Sequence, residues 1–182
     1  MIFIVGFAKM INIKKLINKG FIARDETVKK LSLSYLAKTK NNLVTMRVLS
    51  ELQLNQKVRE LLIIPKDYNP HEWVVVCGYY AMYSSALALL AKIGFKSRNH
   101  TATLQVLEEY FVKKKILDQK SFLSLKNAVF QKEEIEKLSE ARHKREIVQY
   151  SVTKQTTKEI AESIKNDAYD FVNKAELIIQ QD

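Results

Sequence analysis

The residues best suited to chemistry are two arginines in the last quarter of the chain. They belong to a row spaced by three and four residues, the period of a buried helical stripe: Ile135, Leu138, Arg142, Arg145 and Gln149. A guanidinium at such a position needs a partner, because burying an unpaired charge is strongly unfavourable. Its planar fork suits a phosphate or a carboxylate. The spacing therefore indicates Arg142 and Arg145 as ligands for a phosphate group.

The alternative for these arginines is pairing within the chain. The carboxylates available for such pairs are Glu108, Glu109 and Glu146. Tyr150 follows Arg145 by five positions, about half a turn off its face. We expect Tyr150 at the mouth of the same groove or at a dimer seam.

Tyrosines form a second group, at positions 79, 80 and 83 on adjacent turns of one predicted helix. Such rings stack on bases or donate hydrogen bonds to phosphate. The alternative is that they are core aromatics with satisfied hydroxyl groups. Of the three, Tyr80 is our candidate for the binding cleft.

His100 follows Asn99, a predicted helix cap, and so lies on the first turn of a helix. A neutral imidazole there can act as a general base or contact an anion, and the alternative is a plain surface or capping residue. The chain has three histidines and no H-E-x-x-H motif, and its single cysteine excludes disulfides and thiolate zinc sites. We expect no metal and no cofactor.

The composition and the net charge indicate which kinds of partner the chain can bind. The four glycines fit neither a G-x-G-x-x-G nor a G-x-x-x-x-G-K-[ST] phosphate loop. The net charge is +10, and nine basic residues lie between Lys9 and Lys40 against only Asp25 and Glu26. This charge favours a nucleotide or a nucleic acid, although a solvated basic surface would give the same count. The lone cysteine suits a cytoplasmic protein.

Two segments are apolar enough to be considered as membrane-associated. Residues 1–8 are too short to span one, and residues 73–91 form an uncharged run that contains three tyrosines and two serines. We interpret the second run as the central helix of a core and expect no membrane association.

Scarce turn residues predict long helices. With only four glycines and two prolines, an all-β fold lacks the turns that it needs. The pattern predicts helices over about 11–18, 26–55, 70–93, 100–114, 121–151 and 153–179. The predicted starts are Asp25, Asn69-Pro70 and Asn99, and the predicted ends are Gly20 and Gly94.

Apolar positions indicate which helix faces are buried. In the second helix they are Leu33, Leu36, Ala37, Leu43, Val44, Met46, Val48 and Leu49. In the sixth they are Ile160, Ile164, Ala168, Phe171, Ala175 and Ile178. Helices this long share a core only when nearly parallel, so we predict one all-α domain over 1–182, an antiparallel up-and-down bundle of five to six helices.

Several stretches together resemble the HEPN family (higher eukaryotes and prokaryotes nucleotide-binding). They are W-x5-YYAMYSSALALLAK-x-G from Trp73, SRNH from Ser97, LEEYFV from Leu107 and ARHKREIVQYSV from Ala141. The likeness is to the bacterial and archaeal branch with YYAM and R-x4-Y helices. It covers about 25–175, with 1–24 as an N-terminal extension.

The resemblance implies a helical bundle, commonly a homodimer, with the arginine helix lining a cleft at the interface. Many members are metal-independent ribonucleases, often toxins. Others bind nucleotide or RNA without cleaving it and pair with a minimal nucleotidyltransferase antitoxin.

The sequence departs from the family's ribonuclease motif, R-x(4–6)-H. Tyr150 stands where the histidine after Arg145 is expected, and Ser84 stands where relatives often carry a histidine. Without an imidazole the usual proton shuttle is missing. We therefore expect a module that binds nucleotide or RNA phosphate through Arg142, Arg145, Tyr150, Tyr80 and His100. The alternatives are a metal-independent ribonuclease and a purely structural dimerisation or partner module.

Overall fold

The computed structural model describes residues 13–145 and 157–181, with side chains as far as Glu136 on the helix that continues to Arg145. The seven α-helices of this part are α1 Ile13–Asn18, α2 Ser32–Leu54, α3 Gln56–Leu61, α4 His71–Lys92, α5 His100–Leu107, α6 Gln119–Arg145 and α7 Lys158–Gln180. A 3-10 turn, Glu26–Leu31, leads into α2, and a π-helical segment, Glu108–Val112, extends α5. The two strands are β1 Ile22–Arg24 and β2 Phe95–Ser97. The predicted all-α bundle is confirmed.

The predicted helix starts are present. The side chain of Asp25 accepts a hydrogen bond from the backbone of Thr27 at 2.9 Å, so the second helix begins as a 3-10 turn that runs into α2. Asn69 Oδ1 accepts from the His71 N–H at 2.9 Å, and α4 starts at His71. Each side chain satisfies an amide that has no partner within its own helix.

Two glycines end helices as predicted. Gly20, with φ +69, closes α1, and its N–H donates to the carbonyl of Ile17 at 2.8 Å. Gly94, with φ +76, closes α4 and donates to the carbonyl of Ala91 at 2.9 Å. Both occupy the left-handed region, which a residue without Cβ adopts at little cost.

Helix α4 is the centre of the bundle and packs most extensively against α2 and α7, with α5 and α6 on its other side. By length and composition α4 is also the one described helix that meets the criteria for crossing a membrane. However, 72% of its apolar window is buried inside the protein. This burial is what the central helix of a folded bundle shows.

The close approach of α4 to α7 depends on Gly78. A Cβ placed there would lie 2.8 Å from Cγ2 of Ile164 and 3.2 Å from Sδ of Met46. The predicted stripe of α7 provides the facing surface, since Ile164, Ala168 and Phe171 are fully buried. The sixth predicted helix, about 153–179, is thus present as α7, which begins at Lys158, later than predicted, and its predicted buried face is confirmed.

The predicted buried face of α2 was partly wrong. Leu36 and Met46 are buried, but Leu33, Val44 and Val48 are 71%, 50% and 51% exposed. Two small hydroxyl residues contact α4 instead: Ser32 Oγ donates to the carbonyl of Ala88 at 3.0 Å, and Thr39 Oγ1 lies 3.2 Å from Ser85 Oγ. Short side chains let the two helices approach closely, and their hydroxyls bond within the interface, so the buried face of α2 is only partly apolar.

A short two-stranded ribbon, which the sequence did not predict, joins the segment after α1 to the segment between α4 and α5. Strands β1 and β2 pair antiparallel, with Ile22 opposite Ser97 and Arg24 opposite Phe95. Ile22 and Phe95 are both almost fully buried. The ribbon fixes the segment between α4 and α5, and so fixes where α5 begins.

Two lysines tie α7 to the rest of the bundle. Lys92, at the end of α4, donates to the carbonyls of Ile178, Ile179 and Gln181 at the end of α7. Lys174 donates to Asp118 Oδ2 at 2.7 Å. That hydrogen bond is the main reason that the pKa of Asp118 lies well below its usual range.

Candidate functional site

The first helical residue of α5 carries an imidazole that reaches into the core. Asn99 Oδ1 accepts a hydrogen bond from the Ala102 N–H at 2.8 Å and so caps α5 as predicted. His100 follows directly, and its Nδ1 lies 2.7 Å from the hydroxyl of Tyr79 on α4. The ring of Tyr79 is fully buried, whereas His100 is only partly so. The pair therefore connects the core to the surface.

Two further tyrosines of α4, Tyr80 and Tyr83, pack around this pair. The rings of Tyr79 and Tyr83 are stacked, with centroids 5.6 Å apart, and Tyr83 lies 4.6 Å from the ring of His100. Tyr80 packs against Tyr79 at 4.8 Å and remains 36% exposed. Tyr79 and Tyr83 thus serve as core aromatics with bonded hydroxyl groups, and Tyr80 keeps an exposed edge.

A chain of hydrogen-bonded hydroxyl groups holds the ring of Tyr83 in place. The Tyr83 hydroxyl lies 3.2 Å from Thr103 Oγ1 on α5. Thr103 Oγ1 lies 2.9 Å from Ser97 Oγ, on strand β2, and 3.0 Å from the carbonyl of Asn99. Because these contacts link α4, α5 and the ribbon, the position of His100 is set from three sides.

A buried lysine completes the group. Lys132 on α6 is 8% exposed, and its Nζ lies 5.6 Å and 6.0 Å from the ring centroids of Tyr79 and Tyr80. A cation over an aromatic face is attracted by the electron-rich face of the ring. The ammonium also pairs with Glu136, one turn along α6, at 2.5 Å. We call Tyr79, Tyr80, Tyr83, His100 and Lys132 the histidine–lysine cluster.

The surroundings of His100 keep it neutral. Burial is the main cause that lowers its pKa below the usual 6.5, and the positive charge of Lys132 acts in the same direction. The carboxylates of Glu133 and Glu136 oppose the shift without reversing it. At neutral pH the imidazole therefore carries one proton, on one of its two nitrogens.

The hydrogen bond to Tyr79 indicates which nitrogen that is. Burial, followed by the neighbouring Tyr83 and Tyr80, raises the pKa of Tyr79, so its hydroxyl keeps its proton. Among the described residues the only hydrogen-bond partner of that hydroxyl is His100. The network thus assigns the Tyr79 proton to the bond with Nδ1 and places the imidazole proton on Nε2. In this arrangement Nε2 is the nitrogen that can donate a hydrogen bond.

The residues predicted for the site fall into two regions. Tyr80 and His100 both belong to the histidine–lysine cluster, where Tyr79 and Lys132 connect them. Arg142 and Arg145 lie on the last turns of α6, in the stretch whose side chains are outside the description. The helical rise separates their backbone from that of Lys132 by roughly 15 and 20 Å. Tyr150 lies outside the described residues.

Lys132 and Tyr79 are the residues that the sequence reasoning missed. A signal for Lys132 exists, because the buried face of α6 runs through Phe122, Leu125 and Val129, and Lys132 continues it at the next step of three. Lys132 lies three positions before Ile135, so it extends the row that contains Arg142 and Arg145 toward the start of α6. Tyr79 has no comparable signal, since nothing in its sequence context distinguishes it from Tyr80.

Other groups contribute little to this site. Ser84 is 2% exposed, and Cys77 is a half-buried thiol whose pKa is raised by burial. Within residues 13–145 and 157–181, no group of three or more His, Cys, Asp or Glu side chains is arranged to hold a metal ion.

Comparison with protein families gives one match over most of the chain. The family model described as HEPN domain matches residues 64–178, which include α4 to α7 and the whole histidine–lysine cluster. Comparison with curated proteins finds no relative of this chain.

Proposed function

Because this chain belongs to the HEPN domain family, we propose that it binds the phosphate groups of a nucleotide or of RNA. HEPN domains are generally associated with nucleotides and RNA. In the proposal, Arg142 and Arg145 hold phosphate through their guanidinium forks, while Tyr150 and Tyr80 shape the cleft.

The proton arrangement at His100 carries the proposal. A neutral imidazole with its proton on Nε2 donates a hydrogen bond, and a phosphate oxygen accepts one. The ammonium of Lys132 lies beside the rings of Tyr79 and Tyr80, close enough to affect the pKa of His100. A donor, a cation and an exposed aromatic edge in one place are the groups that a nucleotide needs.

The order of cations along α6 favours RNA over a single nucleotide. Lys132, Arg142 and Arg145 share one helix of 27 residues. A row of positive charges roughly 20 Å long matches several linked phosphates better than it matches one.

We also propose a location, an oligomeric state and a partner for the protein. The family resemblance favours a cytoplasmic homodimer in which the arginine helix lines the shared cleft. It also favours pairing with a minimal nucleotidyltransferase, as in a toxin–antitoxin system. Size-exclusion chromatography with light scattering, alone and with a candidate nucleotidyltransferase, tests both associations.

Salt-dependent binding tests the phosphate contacts. Affinity for a nucleotide and for a short single-stranded RNA should fall as salt rises, and Arg145→Ala should weaken binding and make the salt slope shallower by roughly one unit. Arg47→Ala is the matched control, because it removes the same charge from an exposed position on α2. If Arg145→Ala weakens self-association instead and leaves affinity unchanged, the chain is a structural dimerisation module.

A metal-independent ribonuclease is the second candidate. The observation in its favour is the neutral imidazole of His100, since the arginine motif itself lacks a histidine. Cleavage of RNA in the presence of EDTA, abolished by both Arg145→Ala and His100→Gln, would establish this activity. Intact RNA across varied sequences, with folded protein that binds it, would rule the activity out.

A further inference from the structure

Lys132 is the one buried lysine in the described part of the chain. Its ammonium lies against the faces of Tyr79 and Tyr80, and the only carboxylate described in contact with it is that of Glu136. A buried ammonium needs an anionic or hydrogen-bonding partner at all times, because leaving it unpaired is costly. Whatever displaces Glu136 must therefore bring an oxyanion of its own.

The partner is suited to displacement. The side chain of Glu136 is 54% exposed, against 10% for that of Lys132, so the carboxylate is still largely in water. The pair also has the weaker of the two helical orders, with the lysine one turn before the glutamate. An incoming anion thus competes with a solvated, replaceable side chain and not with a sealed ion pair.

We propose that Lys132 is a phosphate ligand and that Glu136 occupies its ammonium until a phosphate takes that place. The phosphate belongs to a nucleotide or to the backbone of single-stranded RNA. An ammonium binds phosphate as a point charge, and the exposed edge of Tyr80 next to it provides a surface against which a base packs. His100 donates from Nε2 to the same group.

The inference rests on the proposed function, since it requires that the chain bind phosphate, and it adds residues that the proposed function does not need. If wild-type protein binds neither RNA nor ATP, both fail. If wild-type protein binds and binding depends on Arg145 but not on Lys132, the proposed function stands and this inference fails.

Glu136→Gln is the first test. The amide is nearly isosteric and uncharged, so the ammonium is freed from its competitor. We expect the affinity for ATP or for a short single-stranded RNA, measured by fluorescence anisotropy at low salt, to rise about two- to fivefold. Glu133→Gln is the matched control, because it removes the same charge from an exposed position on α6 that has no described contact with Lys132. Equal gains from both variants would show a general charge effect and overturn the competition.

Lys132→Met is the second test. Methionine keeps an unbranched side chain against the tyrosine rings and removes the charge. We expect affinity to fall about tenfold, and we expect the gain from Glu136→Gln to disappear when that substitution is made in the Lys132→Met background. Unchanged affinity in a folded Lys132→Met protein would overturn the proposal. Comparing ATP with RNA tells whether a free or a linked phosphate is preferred.

The titration of His100 locates the bound group. NMR of the imidazole should show that inorganic phosphate, ATP or RNA raises the pKa of His100, because a new negative charge lies beside it. Glu136→Gln should lower the pKa of His100 in the free protein, since that carboxylate raises it. Binding that leaves the pKa of His100 unmoved would place the phosphate elsewhere and sink the inference, even if affinity responds to salt.

Discussion

The two sides of α4 are built from different chemistry. Toward α2 and α7 the helix presents Gly78 and small hydroxyl residues, and the hydroxyls bond across the interface, as between Thr39 Oγ1 and Ser85 Oγ at 3.2 Å. Toward α5 and α6 it presents three tyrosines that meet His100 and Lys132. In the middle turns of α4 the first side is uncharged and buried, whereas the other side contains ionisable groups that reach the surface.

We infer that one side of α4 contributes mainly to stability and that the other side also contributes to function. A buried hydroxyl that bonds its neighbour adds to packing and has no charge state to change. A half-buried imidazole beside an ammonium changes its protonation with pH and with bound anions. Mutations on the buried side should therefore alter stability alone, and mutations on the cluster side should alter stability and binding together.

The largest expected effect lies on the buried side. Gly78→Val should lower the free energy of unfolding by roughly 3 kcal/mol, because its Cβ alone would lie 2.8 Å from Cγ2 of Ile164, closer than real contacts reach, and 3.2 Å from Sδ of Met46. Chemical denaturation measures the change. Ala37→Val, at an exposed position on α2, is the control and should change little. Tolerance of valine at Gly78 would contradict the close approach of α4 and α7.

A matched pair of hydroxyl deletions sharpens the contrast. Thr39→Val and Tyr79→Phe should each cost about 1 to 2 kcal/mol, since each removes a buried hydrogen-bonding hydroxyl. Only Tyr79→Phe should also raise the pKa of His100, because Nδ1 loses the donor that favours the neutral ring. Denaturation and NMR titration measure the two quantities, and an equal pKa response to both variants would erase the distinction.

The smallest effect is the pH dependence of stability. His100 has a folded pKa below its usual 6.5, so the unfolded chain binds its proton first as pH falls. Its stabilising contribution is fully present above 6.5 and declines as pH falls from there toward the folded value. The free energy of unfolding, measured across this range, should lose part of its pH dependence in His100→Gln. An unchanged slope would mean that the ring is not desolvated.

Local signals made most of the fold predictable. Asp25, Asn99, Gly20 and Gly94 act through bonds to residues at most five positions away, so their roles follow from sequence alone. The apolar stripe of α7 was equally clear, since its period is uninterrupted. The HEPN resemblance then supplied what spacing could not, namely the family.

The remaining features depend on what each residue faces. Leu33 and Val48 have the right period for a buried stripe, but α4 meets the turn that carries Thr39 instead. The β1–β2 ribbon joins segments more than seventy residues apart, each only three residues long. Lys132 continues the buried face of α6 by its spacing, but its position against the rings of Tyr79 and Tyr80 depends on how α6 packs on α4. These outcomes are set by tertiary contacts and not by local sequence.

The apolar character of α4 has a consequence for synthesis. The helix ends at Lys92, and α7, which covers one of its sides, begins 66 residues later at Lys158. At ordinary elongation rates the ribosome needs roughly 3 to 13 s to make that interval. During that time α4, which is long and apolar enough to cross a bilayer, lacks the cover that α7 provides in the folded protein. Helix α2 is made before α4 and can cover one face at once, so we expect chaperones that act during translation to bind the face that α7 covers later.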